Sequence, residues 1–124
     1  MPKKILIVED EADAARVLVK RLETNGFDVV VAVDAYQGTA FINNEHPDLV
    51  ILDLMLPAGG GLSVLKNIKG RPKVAYIPIV ILTGMKDGDI KKEVIDSGVD
   101  AYLEKPYDAD ILISTINKIL SRKE

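Results

Sequence analysis

The chain contains no cysteine, which excludes disulfide bonds and thiolate-held metals and fits a reducing, cytoplasmic setting. Histidine occurs once, at His46, so no imidazole cluster is available to ligate zinc. No block of Lys or Arg interrupts the mixed charges, and the net charge is −3. Direct contact with nucleic acid is therefore not expected, and no acidic run marks a disordered tail. Long apolar stretches are missing too. The opening MPKKILIVEDE begins basic and turns apolar, but it breaks at Glu9, far too soon for a signal-peptide core or a membrane span. Internal repeats and low-complexity segments are absent. The expectation is a cytoplasmic protein without membrane insertion.

What is present is enough for a core. The 124 residues are 48% hydrophobic and 28% charged, matching a single domain over residues 1–124. Short branched runs alternate with amphipathic segments. Strands are expected at 4–8 (KILIV), 27–33 (FDVVVAV), 49–53 (LVILD), 77–83 (IPIVILT) and 101–104 (AYLE). Helical spacing is expected at 11–25, 35–44, 62–68, 89–97 and 108–121, with Gly26 and Gly98 as stops and Asp108 as an N-cap. His46 opens the turn HPD before the third strand, at the edge away from the strand ends. The order is strand–helix five times over. It implies right-handed crossovers and a doubly wound parallel α/β sheet with helices on both faces.

Open sheets of this kind bind ligands beyond the carboxyl ends of their strands. At those ends stand Glu9, Asp10 and Glu11, then Asp34, Asp53, Thr83 with Gly84, and Lys105 with Pro106. Taken alone, Asp53 could simply terminate its strand. The gathering of acids argues otherwise, because like charges ~4 Å apart repel by about 1 kcal/mol even in water. Lys105 balances one charge only. Oxygen donors without nearby His or Cys favour a hard divalent ion, Mg²⁺ (or Mn²⁺). Asp34 and Glu11 are expected to line the rim without binding metal. No glycine-rich phosphate loop follows the first strand, so a Rossmann or P-loop site is not supported. The PAGGG after Asp53 reads as a flexible turn.

VEDE, DLMLPAGGG, LTG and YLEKP, in this order along a (βα)₅ chain, resemble the receiver domain of bacterial two-component response regulators, the chemotaxis-regulator-like kind. The resemblance covers essentially the whole chain. It implies a flavodoxin-like five-stranded sheet in the order 2-1-3-4-5. Asp53 would be the phospho-acceptor of a sensor histidine kinase or phosphotransfer protein. Asp10, Asp53 and the backbone carbonyl of Met55 would hold Mg²⁺, with Glu9 acting through water. Thr83 would bond the phosphoryl group, Lys105 would pair with it, and Tyr102 would swing inward on activation. Pro106 would follow a cis peptide bond. The protein would then be no enzyme in the ordinary sense but a phospho-acceptor switch that takes part in its own phosphorylation and dephosphorylation. Its output protein or domain would meet the face of the fourth helix, fifth strand and fifth helix.

Some positions depart from the family pattern. The first acidic pair is Glu-Asp rather than Asp-Asp, and Gly84 stands where alanine is usual, which should open the phosphoryl site. Met55 and Met85 occupy the positions that influence the hydrolytic water; neither can orient a water, so slow self-dephosphorylation is expected. Three other readings compete with this one. A haloacid-dehalogenase-like phosphatase wants a second acid two residues after its nucleophile, where Met55 stands. A flavodoxin-like electron carrier wants a Ser/Thr/Gly loop after strand one. A non-phosphorylated pseudo-receiver, acting only as a protein-binding module, is the alternative that the filled chemical positions disfavour.

Overall fold

The structure is a computed structural model and describes residues 2–122. Its elements are β1 (Lys4–Val8), α1 (Ala12–Thr24), β2 (Asp28–Ala32), α2 (Ala35–Asn44), β3 (Leu49–Leu52), α3 (Gly60–Lys69), β4 (Ile79–Thr83), α4 (Gly88–Asp96), β5 (Ala101–Glu104) and α5 (Ala109–Arg122). All strand pairs are parallel, in the order β2-β1-β3-β4-β5. The doubly wound architecture and the strand order are thus as expected.

The continuous apolar runs are explained by burial on both faces. Leu6 and Val8 of β1 join Val50 and Leu52 of β3 in a core under α2, α3 and α4. Their alternates Ile5, Ile7, Leu49 and Ile51 pack instead against Leu18 and Leu22 of α1 and Ile116 and Ile119 of α5. Because successive strand side chains point to opposite faces, one run fills two layers. β3 and β4 are buried along their whole lengths.

Helix ends carry the acids that looked like rim residues. Glu11 caps α1 by accepting from the N–H groups of Asp13 and Ala14, and Asp34 caps α2 by accepting from Gln37. Asp108 accepts from the N–H groups of Asp110 and Ile111, the expected cap of α5. Each satisfies donors that the first helical turn leaves orphaned. Gly26 and Gly98, at φ of +87° and +93°, follow the last turns of α1 and α4, where an L side chain is disfavoured.

Most boundaries fall within one residue of expectation, and two move by two residues. β4 begins at Ile79 rather than Ile77. α3 begins at Gly60 rather than Leu62, so two of the three consecutive glycines are helical. The PAGGG segment is therefore not merely a flexible turn. A Cβ on Gly61 would lie 2.5 Å from the Leu54 Cα and 2.6 Å from the Asp53 carbonyl oxygen. The helix start is pressed onto the backbone that carries Asp53, and only glycine fits.

Candidate functional site

Asp53 sits one residue beyond β3, its N–H donating to the Val8 carbonyl at 3.2 Å. That bond extends the β1–β3 ladder past its last pair, Val8 with Leu52, and so brings Glu9 and Asp53 side by side. The Asp53 side chain is nearly buried. Oδ1 accepts from the Met55 N–H at 2.8 Å and from the Thr83 hydroxyl at 2.7 Å. Oδ2 accepts from the Lys105 ammonium at 2.9 Å. Burial by itself raises the carboxyl pKa. The Met55 N–H, Lys105 and Thr83 together outweigh it and hold the group below the ordinary aspartate range, which favours the ionised form.

Lys105 reaches this position from the end of β5, where its N–H extends the ladder to the Thr83 carbonyl. Its ammonium bridges Asp53 and Glu9. Burial lowers the lysine pKa, but the hydrogen bonds and charges of Glu9 and Asp53 reverse this and raise it above the ordinary lysine value. Lys105 is therefore a fixed cation. The next peptide bond, to Pro106, is cis, as the resemblance implies.

Glu9 is buried, and both its oxygens are engaged: one by Lys105, the other by the Glu11 N–H at 3.2 Å. Sequence reasoning placed Glu9 at this edge but did not find the pairing. The extra methylene that distinguishes Glu from Asp was the available signal. Asp10 differs. It is exposed, and among the described residues its carboxylate makes no hydrogen bond or ion pair.

These features bear on the implied Mg²⁺. No three carboxylate, imidazole or thiolate groups among the described residues form a cluster able to hold a metal ion. An ion here would need backbone oxygen and water to complete its shell. That is how Mg²⁺ is usually bound, through one or two carboxylates. The unengaged Asp10, the ionised Asp53 and the loop backbone at Met55 fit such a donor set.

Around this centre lie the remaining site residues. The Met55 side chain is 55% exposed, and its sulfur lies 3.8 Å from where a Gly84 Cβ would be. The space that Gly84 leaves is thus bordered by a thioether. The Met85 N–H donates to the Thr83 hydroxyl at 3.3 Å, while its side chain packs on the core. Tyr102 lies inward against the α4-side core, and its hydroxyl is buried with no hydrogen-bond partner. Lys91 of α4 stands 5.2 Å over the ring and pairs with Glu104 at 3.1 Å. Burial raises the phenol pKa above its ordinary value; Lys91 opposes this, and Glu104 and Asp53 add to it. His46 is exposed in the loop between α2 and β3, at the opposite edge.

A parallel, doubly wound α/β sheet that gathers an aspartate, a hydroxyl and a cation at its carboxyl edge defines a class of small α/β modules with their site at that edge. The family model of the response regulator receiver domain matches residues 5–117, and the chain belongs to that family. The Escherichia coli phosphate regulon transcriptional regulatory protein PhoB is 34% identical over 122 residues, 98% of this chain and 53% of PhoB. The DNA-binding dual master transcriptional regulator RpaA of Synechocystis is 36% identical over 100% of this chain and 51% of its own length. The chain thus spans about half the length of these relatives. Among solved structures, the receiver domain of Francisella response regulator 1452 superposes with a TM-score of 0.88 at 31% identity, covering 98% of this chain and 99% of that one. No described helix is long and apolar enough to cross a membrane.

Proposed function

We propose that the protein is a phospho-accepting receiver in a two-component or phosphorelay system, and that Asp53 is the acceptor. The observation that carries this reading is the disposition of Asp53: nearly buried, ionised, and held by Thr83 and Lys105 at 2.7 and 2.9 Å. An Asp53 oxygen attacks the phosphorus of a phosphohistidine on the partner kinase or phosphotransfer protein. The new O–P bond forms as the P–N bond breaks, and the imidazole departs with its electron pair and takes up a proton. Aspartate is a competent nucleophile for this transfer. Lys105 and the Thr83 hydroxyl face the oxygens that gain charge, and such stabilisation is most of what phosphoryl transfer requires. Mg²⁺, held by Asp10, Asp53 and the Met55 carbonyl, would supply further positive charge against those oxygens. Glu9 fixes Lys105 rather than reaching metal directly.

Phosphorylation replaces one carboxylate with a dianionic group, and Thr83 and Tyr102 are the proposed relay to the face of α4, β5 and α5. An output protein or domain would read that face. This chain, at net charge −3, is proposed to make no direct contact with nucleic acid. The alternative is a module that binds partners and never takes phosphate.

Intact mass after incubation with acetyl phosphate separates the two. A single Mg²⁺-dependent phosphoryl adduct, absent from Asp53→Asn, is expected. No adduct on a folded, Mg²⁺-binding protein would leave the binding module as the function.

A further inference from the structure

α1 and α5 pack on the same face of the sheet, and a groove of about 600 Å³ runs between them. That volume falls within the roughly 300–1,000 Å³ typical of small-molecule sites. Its apolar lining includes Val17 of α1, 50% exposed, and Ile113 of α5, partly buried. Lys20 and Arg21 stand on its rim, both exposed, and neither makes an ion pair among the described residues. Asp110 is the one acid among the lining residues, and Asn117 adds a neutral amide.

Arg21 is unmatched for a reason visible along its own helix. Surface cations on helices usually find an acid three or four residues away, as Arg16 does with Asp13 at 2.9 Å. The corresponding neighbours of Arg21 are Val17, Leu18, Thr24 and Asn25, none of them acidic. Two cations against one carboxylate make this groove locally positive on a chain that is negative overall. Val17 and Arg21 also line a second cavity of about 320 Å³, which extends to Glu9 and Lys105. There Lys105 is already paired with Glu9 and Asp53, so the unpaired positive charge stays with Lys20 and Arg21.

We propose that the groove binds a small organic anion. A flat apolar body would lie on Val17 and Ile113. Its carboxylate, sulfonate or phosphate would sit on the Arg21 guanidinium, whose fork of donors matches such groups, with Lys20 adding charge. A free small molecule suits the groove better than a docked helix, which needs a longer row of apolar anchors at helical spacing.

The probe is 8-anilinonaphthalene-1-sulfonate, titrated into the ¹⁵N-labelled full chain beside its uncharged relative N-phenyl-1-naphthylamine. Saturable binding of the sulfonate is expected, with the largest amide shifts at Val17, Arg21, Ile113 and Asn117. Arg21→Glu should weaken it roughly tenfold or more, the loss expected for one charge-assisted contact. Arg21→Gln should fall between, and Tyr36→Ala, at an exposed position on α2, should change nothing. The spectra of the variants report directly that they remain folded. Shifts centred elsewhere, equal binding of the uncharged probe, or affinity unchanged in Arg21→Glu would each overturn the proposal; the second would mark a bare apolar patch suited to a protein face.

Discussion

Asp53 keeps its charge because three donors outweigh the burial that opposes it. Its folded pKa is lowered, so its contribution to stability is present above about pH 4, where an unfolded aspartate is ionised. That contribution is lost as pH falls through the lower folded value. Lys105 runs the other way: its pKa is raised, and its contribution is present below about pH 10.4 and lost as pH climbs through the still higher folded value. Side-chain carboxyl NMR should find Asp53 titrating below an ordinary aspartate in the wild type. In Lys105→Met the Asp53 pKa should rise, because burial, the largest single influence, then meets less opposition; an unmoved or lower value would contradict this balance. Met55 matters for the product. Its sulfur borders the space at Gly84 and offers water no strong acceptor or donor. Met55→Asn with Met85→Glu should speed decay of the acyl phosphate by roughly tenfold, a modest part of what a well-placed polar group can give. Phosphoprotein half-life measured by mass checks it, and an unchanged half-life would remove the shielding role.

At the scale of elements, the segment joining β3 to α3 shows what a sequence does and does not disclose. The runs LVILD and IPIVILT declared buried strands, though each was read slightly too long, and Gly26 and Gly98 declared helix ends, because burial and positive φ leave compositional marks. Three glycines in a row declared only freedom. In the folded chain Gly59 takes φ of +70°, and Gly61 is demanded by contact with the Asp53–Leu54 backbone. Ala58 nevertheless adopts φ of +56°, where a Cβ costs about 1–2 kcal/mol. Gly61→Ala should therefore destabilise the protein by about 1–3 kcal/mol and weaken phosphorylation as Asp53 is displaced. Ala58→Gly should stabilise by up to about 1 kcal/mol, the relief being partly offset by chain entropy. Thermal and urea unfolding of the two variants should thus move in opposite directions. The Glu9–Lys105 and Lys91–Glu104 pairs were not legible at all. Strand order tells which ends meet, but the reach of a side chain across them depends on how far each strand runs and how α4 lies over β5.

For the whole molecule, a ligand that binds only the folded state adds stability by mass action. Mg²⁺ at a hundredfold excess over its Kd should contribute about 2.7 kcal/mol, a rise of several degrees in Tm. Asp10→Asn should lose most of that rise, and chelation should reverse it in the wild type; a Tm indifferent to Mg²⁺ would remove the metal from the account. The fold itself was legible because each strand carries a continuous apolar run and each crossover an amphipathic one. The site was legible as a list of strand ends, since the parallel sheet brings all carboxyl ends to one edge. The sheet order has one more consequence. β3 lies at the centre, and the groups that meet there come from positions 9, 53, 83 and 105. A chain emerging from the ribosome therefore lays down both buried carboxylates long before the cation that reconciles them. Until Lys105 arrives, Glu9 and Asp53 face each other uncompensated, and the nascent domain has reason to leave its acidic edge unlocked.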